Sequence, residues 1–424
     1  MTSAVTLTNP DDLSNNKLQP RDRAFHDWYR FVLSYPPHLV RHYIDKFRLD
    51  QGAVILDPFC GTGTTIVEAK KNGLTSVGVE AVPMSHFACS TKVQWSVDLA
   101  ELERAQERVL SRSWERVDQL PLLEFDADQI ALVVKNSIFP KPLHKCLVLR
   151  DAIATEPFGP VRDVLNLALA YVAVNDASNL KFGPEVGIRR SKREDASVFE
   201  SWQQKVDQMA KDLAEYTASA HVSAQCHQGD ARALRSLLEP KSIDAIITSP
   251  PYPNEKDYTR TTRLESVLLG FLRNKADLRE FKESLIRSNT RNVYKVDDDD
   301  RLLTAESPVT YLAQAIEDRR VALKKTSGFE RLYHRVTRLY FGGMKRHLTA
   351  LQPALKPGAQ LAYVVGDQAS FLQVMIRTGE LLAEIAEEVG YTVKDIDLFR
   401  TRLATATGAQ LREEVVVLEW PGYL

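Results

Sequence analysis

The sequence predicts a doubly wound α/β fold that carries two mostly helical insertions, and three observations support this. A short apolar run at 53–56 leads into a glycine-containing loop, a helical pattern and a second short strand pattern that ends on an acid. The same alternation of strand and helix patterns resumes after residue 220. Charge-rich helical patterns interrupt it at 91–220 and at 274–330. Alternating strands and helices are typical of a parallel sheet with helices on both faces.

The first half of the predicted sheet lies within residues 21–90. Apolar residues recur at helical spacing after Pro36-Pro37, and proline suits a helix start because its missing N–H would be unpaired there. Asn72-Gly73 is typical of a helix end. The elements predicted here are helices over 38–47 and 64–71 and strands at 53–56 and 76–80.

The second half is divided by the second insertion into 221–273 and 331–424. Its clearest strand is the β-branched run at 243–247, which leads directly into a pair of prolines. A Lys356-Pro357-Gly358 turn separates a long helical pattern from the next strand. The elements predicted here are strands at 224–229, 243–247, 360–365, 392–397 and 414–419 and helices over 231–238, 331–355 and 371–389.

The two insertions differ in their charged clusters. The first holds the basic residues Arg189, Arg190, Lys192 and Arg193, which suit nucleic-acid phosphates but are equally typical of a solvated loop because Glu194-Asp195 follows. The second holds four consecutive aspartates at 297–300. We expect these in an exposed loop, because they lack the alternating spacing of a calcium-binding loop.

Composition narrows the class of protein. The 424 residues are 44% hydrophobic and 26% charged with a net charge of −1, which argues against disorder and against a generally basic coat protein. No apolar run approaches the ~18–20 residues of a membrane span, and residues 1–6 lack the layout of a signal peptide. The four cysteines show no CxxC spacing, so we predict no disulfide framework and no metal site, and we expect a cytoplasmic protein.

The first chemical motif is the segment Asp57-Pro58-Phe59-Cys60-Gly61-Thr62-Gly63. A strand that ends in a glycine loop lets a ligand approach the backbone closely, because no Cβ intervenes. The segment lacks the lysine of a P-loop and the third glycine of the full dinucleotide fingerprint. Glu80, at the end of the next strand, offers a carboxylate that can accept hydrogen bonds from both hydroxyls of a ribose.

The second motif is Ser249-Pro250-Pro251-Tyr252, directly after a buried strand. The prolines fix the backbone and remove two N–H donors, so nearby carbonyls can face the amino hydrogens of a ligand. Ser249 supplies a hydroxyl oxygen as acceptor, and Tyr252 supplies a flat face for a base. Taken alone, the motif is also consistent with an ordinary turn at a strand end.

Together the two motifs resemble those of the S-adenosylmethionine-dependent DNA amino-methyltransferases, which methylate cytosine N4 or adenine N6. The resemblance covers 25–90 and 221–270, and more loosely 330–420. It implies a Rossmann-like methyltransferase sheet, S-adenosylmethionine as cofactor and double-stranded DNA as substrate. It implies cofactor roles for Asp57, Phe59, Gly61 and Gly63 in the loop, Glu80 at the ribose and Asp230 at the adenine. It implies catalytic roles for Ser249, Pro250, Pro251 and Tyr252.

The target atom explains why such a tetrapeptide is needed. An exocyclic amino nitrogen shares its lone pair with the ring, so it needs acceptors on its hydrogens, and the target base must leave the duplex. In the family that the motifs resemble, aspartate or asparagine is more usual before the prolines of adenine-N6 enzymes, so the resemblance favours cytosine N4 over adenine N6 here. An RNA amino-methyltransferase and a non-catalytic binding subunit are the alternatives. The family further implies a restriction-modification or phage-defence setting with cognate defence proteins, and makes 91–220 the candidate target-recognition region.

Overall fold

A computed structural model describes residues 13–30, 34–183, 186–254, 256–403, 408 and 410–422; residues 1–6, discussed above, lie outside this part. Its centre is a seven-stranded sheet. The strands, numbered in chain order, are β1 (Val54–Asp57), β2 (Thr75–Glu80), β3 (Ala224–Gln228), β4 (Ile243–Thr248), β5 (Leu355–Gly366), β6 (Thr392–Leu403) and β7 (Gln410–Trp420). Their spatial order is β3-β2-β1-β4-β5-β7-β6. Within this sheet β7 alone runs opposite to the other six strands, so the doubly wound α/β prediction is confirmed.

The strand order places the two sequence motifs side by side. The chain begins in the middle of the sheet at β1, moves outward to β3 and returns to β4 on the other side of β1. Leu56 of β1 pairs with Ile246 of β4 in parallel register. Both strands therefore end at the same edge, at the point where the strand order reverses, and such a crevice is where open α/β sheets bind ligands.

Helices cover both faces of the sheet and form most of the insertions. They are α1 (Pro37–Lys46), α2 (Thr64–Lys71), α3 (Pro83–Val93), α4 (Leu99–Val117), α5 (Ala127–Leu132), α6 (Pro140–Ile153), α7 (Pro160–Val172), α8 (Val198–Glu215), α9 (Tyr258–Thr261), α10 (Arg263–Leu268), α11 (Lys275–Glu283), α12 (Pro308–Ala322), α13 (Tyr333–Leu351) and α14 (Thr378–Glu388). In the described part of the chain, none is long and apolar enough to cross a membrane.

The first insertion packs directly onto the sheet domain. Its helices share one buried apolar core with α2 and α3, in which Ile66 and Ala88 join Leu147, Leu165 and Trp202. A two-stranded ribbon, Leu180–Lys181 with Gly187–Ile188, lies before α8. The insertion is therefore an added helical layer with no separate core of its own.

Two predicted helices are wrong in part. The predicted helix at 231–238 is only the short 3-10 turn Leu234–Ser236, because the side chain of Asp230 accepts the Arg232 backbone N–H and bends the chain. The predicted helix at 371–389 begins only at Thr378. Before it, Gln368 and Ile376 pair as an antiparallel bridge that closes a turn.

The aspartates at 297–300 do not form the exposed loop that we expected. Asp299 is buried and pairs with Arg232 at 2.7 Å and Arg346 at 2.6 Å. Asp297 pairs with Arg287 at 2.8 Å. The charges of the second insertion are thus partly internal, where they tie it to the sheet domain.

Candidate active site

A cavity of about 820 Å³ opens where β1 and β4 end, a volume typical of small-molecule sites. Residues from both sequence motifs line it. Those predicted from the sequence are Phe59, Gly61, Glu80, Asp230, Ser249, Pro250, Pro251 and Tyr252. The fold therefore brings the proposed cofactor loop and the tetrapeptide to one site.

Asp57 lies beneath the cavity and organises its floor. Its buried carboxylate accepts hydrogen bonds from the Thr248 hydroxyl at 2.5 Å, the Tyr35 hydroxyl at 3.0 Å and the Phe59 backbone N–H at 3.1 Å. Burial raises the pKa of Asp57 to about 6. Asp57 thus connects the end of β1, the end of β4 and the segment before α1, and it shapes the loop from behind.

The two loop glycines have different surroundings. Both take left-handed backbone conformations, with φ of +53° at Gly61 and +88° at Gly63. Gly61 lines the cavity, whereas a Cβ on Gly63 would lie 2.7 Å from the Sγ of Cys89 in α3. Gly63 is therefore needed for close packing of the loop on α3, and it is not among the residues that line the cavity.

Glu80 is held at the cavity wall by two backbone donors. Its carboxylate accepts the N–H of Gly61 at 2.8 Å and of Val82 at 2.7 Å. Burial raises its pKa to about 7, and the nearby Asp57 charge adds to the rise. A carboxylate has about four lone-pair sites, so two remain for the hydroxyls of a ligand.

Asp230, the residue expected at the cofactor adenine, already forms an ion pair within the protein. Arg232 contacts it at 2.7 Å and reaches Asp299 at the same distance. The loop is also fixed by His347, whose Nδ1 donates to the Ala231 carbonyl at 2.8 Å and whose Nε2 accepts from the Tyr363 hydroxyl at 2.8 Å. Burial lowers the pKa of His347 to about 4, so the ring stays neutral near pH 7.

The tetrapeptide is positioned by β5 and by α9. The Ser249 hydroxyl donates to the Val364 carbonyl at 3.1 Å, so its lone pairs remain available as acceptors. The Tyr252 ring packs on Gly366, where a Cβ would come within 3.1 Å of the ring. The backbone N–H of Tyr252 donates to the Tyr258 hydroxyl at 3.1 Å.

Comparison with known proteins indicates the same family as the two sequence motifs. The family model N6_N4_Mtase, described as DNA methylase, matches residues 10–84. Type II methyltransferase M.BsoBI of Geobacillus stearothermophilus is 26% identical over 95% of this chain and 86% of its own length. Type II methyltransferase M.AvaI of Nostoc sp. is 24% identical over 90% of this chain and 81% of its own. These matches support the amino-methyltransferase family for this chain. A solved structure, TrmN from Thermus thermophilus, matches with a TM-score of 0.31 at 11% identity, covering 94% of this chain and 52% of that one.

The cavity also has a wall that sequence patterns did not predict. Residues 284–292 of the second insertion cross it, and Ser288 and Asn292 line it together with Asn254. The only sequence signal was a charged, helical pattern, which says nothing about small polar residues between the helices. Only the packing of the insertion against the sheet domain brings these residues to the cavity.

Three cysteines that lie far apart in the sequence meet behind the glycine loop. The Sγ of Cys60 lies 3.8 Å from that of Cys89 and 3.5 Å from that of Cys226. Cys89 fills the space beside Gly63, and Cys60 fills the space beside Gly78. This arrangement fits small apolar packing residues under the loop.

The basic cluster of the first insertion divides into two pairs. The Arg189 guanidinium donates to the Leu180 carbonyl at 2.8 Å, and that of Arg193 donates to the Asn175 carbonyl. Arg190 and Lys192 are exposed. Arg189 therefore ties the two ribbon strands together, and Arg193 is held by the segment before the ribbon. Within this cluster, Arg190 and Lys192 are the residues whose side chains face solvent.

Proposed function

We propose that this methyltransferase transfers the methyl group of S-adenosylmethionine to the exocyclic amino group of a base flipped out of double-stranded DNA, with cytosine N4 as the target atom. The observation that carries the proposal is that Gly61, Glu80 and the tetrapeptide line one cavity. The names of the relatives, type II methyltransferases, support it. From the family resemblance we further propose a cytoplasmic restriction-modification or phage-defence setting with cognate restriction or defence proteins.

The cofactor side of the cavity fits a nucleoside with a charged amino-acid tail. When bound, S-adenosylmethionine supplies an electrophilic methyl group. Glu80 would accept the ribose hydroxyls, because its carboxylate is fixed by two N–H donors and retains lone pairs. Gly61 leaves the backbone open to the ligand, since nothing lies within 4 Å of a Cβ built there. Asp230 would approach the adenine from its place beside Arg232.

The catalytic side supplies acceptors to the target amino group. Ser249 is oriented by its bond to Val364, so a lone pair can accept an amino hydrogen. The Pro250 carbonyl is a second acceptor at the same strand end. These acceptors weaken conjugation of the nitrogen lone pair with the ring and direct it to the methyl group. Tyr252 would stack on the flipped base, a contact worth ~1–3 kcal/mol.

One experiment tests the reaction and the target atom together. DNA from a methylation-free host that expresses the protein is digested to nucleosides and analysed by mass spectrometry. N4-methylcytosine is the expected product. N6-methyladenine would move the target to adenine, which the family also includes, and methylated RNA nucleosides alone would favour an RNA substrate. Absence of any methylated nucleoside would overturn the proposal.

We expect the affinity for S-adenosylmethionine to rise with pH through about 7. The pKa of Glu80 is raised to about 7 by burial, and hydroxyl donors favour its ionised form. Below that pH, binding should therefore release protons, and the affinity should fall by up to about tenfold for each pH unit of acidification. Calorimetry between pH 6 and 8, in buffers of different ionisation enthalpy, measures both effects.

The control for this pH dependence is Glu80→Gln. Asp57, with a pKa raised to about 6, lies under the same loop, so its titration must be separated from that of Glu80. The variant should bind weakly at every pH and keep only the Asp57 contribution. Wild-type affinity that does not change between pH 6 and 8 would contradict the ribose contact.

Replacing Arg190 and Lys192 together by alanine should reduce the salt dependence of DNA binding. Each phosphate contact contributes about −0.9 to the slope of log affinity against log salt, so the slope should become shallower by up to about 2. The matched control replaces Lys324 and Lys325, which are exposed in the second insertion. Fluorescence anisotropy over a salt series gives both slopes. Equal slopes in the two variants would remove the first insertion as the phosphate-contacting surface.

A further inference from the structure

One wall of the cavity is formed by the last two strands of the sheet. Arg400 and Arg402 of β6 and Glu413 of β7 line it. In the spatial order of the strands, β1 and β2, which position Gly61 and Glu80, lie on one side of β4, whereas β7 and β6 lie on the other. The tetrapeptide at the end of β4 therefore separates this wall from the proposed cofactor side. A ligand that contacts the wall belongs to the substrate side of the cavity.

The register of the strands connects this wall to Tyr252. Gly366 of β5 lies opposite Glu413 of β7, and Glu413 lies opposite Arg400 of β6. A Cβ built on Gly366 would lie 3.1 Å from the Tyr252 ring and 3.3 Å from the Cγ of Glu413, so both side chains are on one face of the sheet. Neighbouring strands are about 4.8 Å apart, which places the Arg400 backbone roughly 10 Å from Gly366. An arginine side chain spans most of that distance.

Glu413 holds both arginines by one edge of their guanidinium groups. Its Oε2 accepts from the Nε of Arg400 at 2.5 Å, and its Oε1 accepts from the Nε of Arg402 at 3.2 Å. The Nη2 of Arg402 also donates to the Asp367 carbonyl at 3.3 Å. Within the described part of the chain, the Nη groups of Arg400 and the Nη1 of Arg402 donate no hydrogen bond. These groups remain available to a ligand.

The charge of this wall favours an anion. Two guanidinium groups, 26% and 38% exposed, face a single carboxylate, so positive charge is in excess where the cavity meets solvent. A guanidinium presents its N–H groups as a planar fork that fits phosphate oxygens. A nucleotide that leaves the duplex rotates about its own backbone, so its flanking phosphates stay at the rim of the pocket that takes the base. Such a phosphate is the anion that would meet the arginines.

We propose that Arg400 and Arg402 bind a phosphate next to the target base and so hold the flipped nucleotide in the cavity. This inference rests on the proposed function and names substrate-binding residues for it. Glu413 keeps the two guanidinium groups side by side through their Nε atoms, which leaves Nη groups to donate to the phosphate oxygens. The contact reads no base: it fixes the sugar–phosphate backbone while the tetrapeptide contacts the base.

The test removes one phosphate charge at a time. Once the methylated position is mapped, duplexes with a single neutral methylphosphonate on either side of the target nucleotide are bound in the presence of S-adenosylhomocysteine. For the wild type, one of these replacements should weaken binding by about 10–100-fold, the range for a hydrogen bond to a charged group. Arg400→Gln and Arg402→Gln should bind the unmodified duplex more weakly, and the same replacement should cost each variant several-fold less than it costs the wild type. Each variant leaves the other arginine on Glu413.

The matched control is Lys394→Gln in the same strand. Lys394 also pairs with a glutamate of β7, Glu419 at 3.2 Å, but it is absent from the cavity lining. Its methylphosphonate effect should equal that of the wild type. Losses that simply add in both arginine variants would overturn the proposal, as would a loss of affinity for S-adenosylhomocysteine alone, which would assign the arginines to the cofactor. A wild type that methylates no nucleic acid overturns the proposed function itself, whereas a methylating enzyme whose losses add overturns only the phosphate contact.

Discussion

Replacing Ser249 by alanine should lower the single-turnover rate of methyl transfer by roughly 10²–10³-fold, the range seen when one hydrogen bond made in a transition state is removed. Ser249 donates to the Val364 carbonyl at 3.1 Å, which directs its lone pairs away from β5. The variant leaves the Pro250-Pro251 backbone in place. Cofactor affinity should not change, because the Ser249 hydroxyl is assigned to the target base.

The control for this variant is Ser242→Ala. Ser242 lies just before β4, at the end away from the tetrapeptide, and its hydroxyl also donates to a backbone carbonyl, that of Glu239 at 2.7 Å. It should methylate at the wild-type rate. Rapid-quench measurement with saturating cofactor compares the two variants. A Ser249→Ala enzyme as fast as wild type would reduce Ser249-Pro250-Pro251-Tyr252 to a turn at a strand end.

Sequence patterns correctly predicted those elements whose structure is determined by residues close to them in the chain. The runs at 53–56 and 243–247 are short, apolar and followed by chain-turning residues, and both are central strands. The order of strand and helix patterns then determined which strand ends meet. The incorrect parts have distant causes: residues 230–233 are held in a turn partly because Arg232 pairs with Asp299, 67 positions away.

The same distinction applies to the site. Gly61, Glu80 and the tetrapeptide were predicted from motifs at strand ends, and the family resemblance added Phe59. The structure places all of them around one cavity. Gly63 was predicted to contact the cofactor, whereas its packing against Cys89 depends on α3. Asn292 had no local signal, since it follows no strand and belongs to no motif. Its position depends on ion pairs between the second insertion and its surroundings.

Replacing Asp297 by alanine should lower the free energy of unfolding by about 3–5 kcal/mol, the usual cost of breaking a buried ion pair from one side. Arg287, in the middle of the cavity-wall segment 284–292, is 3% exposed. Its Nε and Nη2 contact the two carboxylate oxygens of Asp297 at 2.9 and 2.8 Å. Without Asp297 the guanidinium would stay buried without its carboxylate, because its other acceptors are the carbonyls of residues 282, 283 and 285.

The adjacent Asp298 provides the control. It pairs with Arg346 at 2.9 Å, but both side chains are exposed, by 54% and 41%. Exposed pairs contribute about 0–1 kcal/mol, so Asp298→Ala should unfold in urea almost as wild type does. Equal losses in the two variants would mean that the Arg287–Asp297 pair does not anchor residues 284–292.

Asp297→Ala should also lose methyl transfer at urea concentrations where the rest of the protein is still folded, because residues 284–292 form one wall of the cavity. Hydrogen exchange at the amides of residues 286–292 reports that local loss directly: those amides should exchange faster in Asp297→Ala, while the amides of β1 and β4 keep their protection.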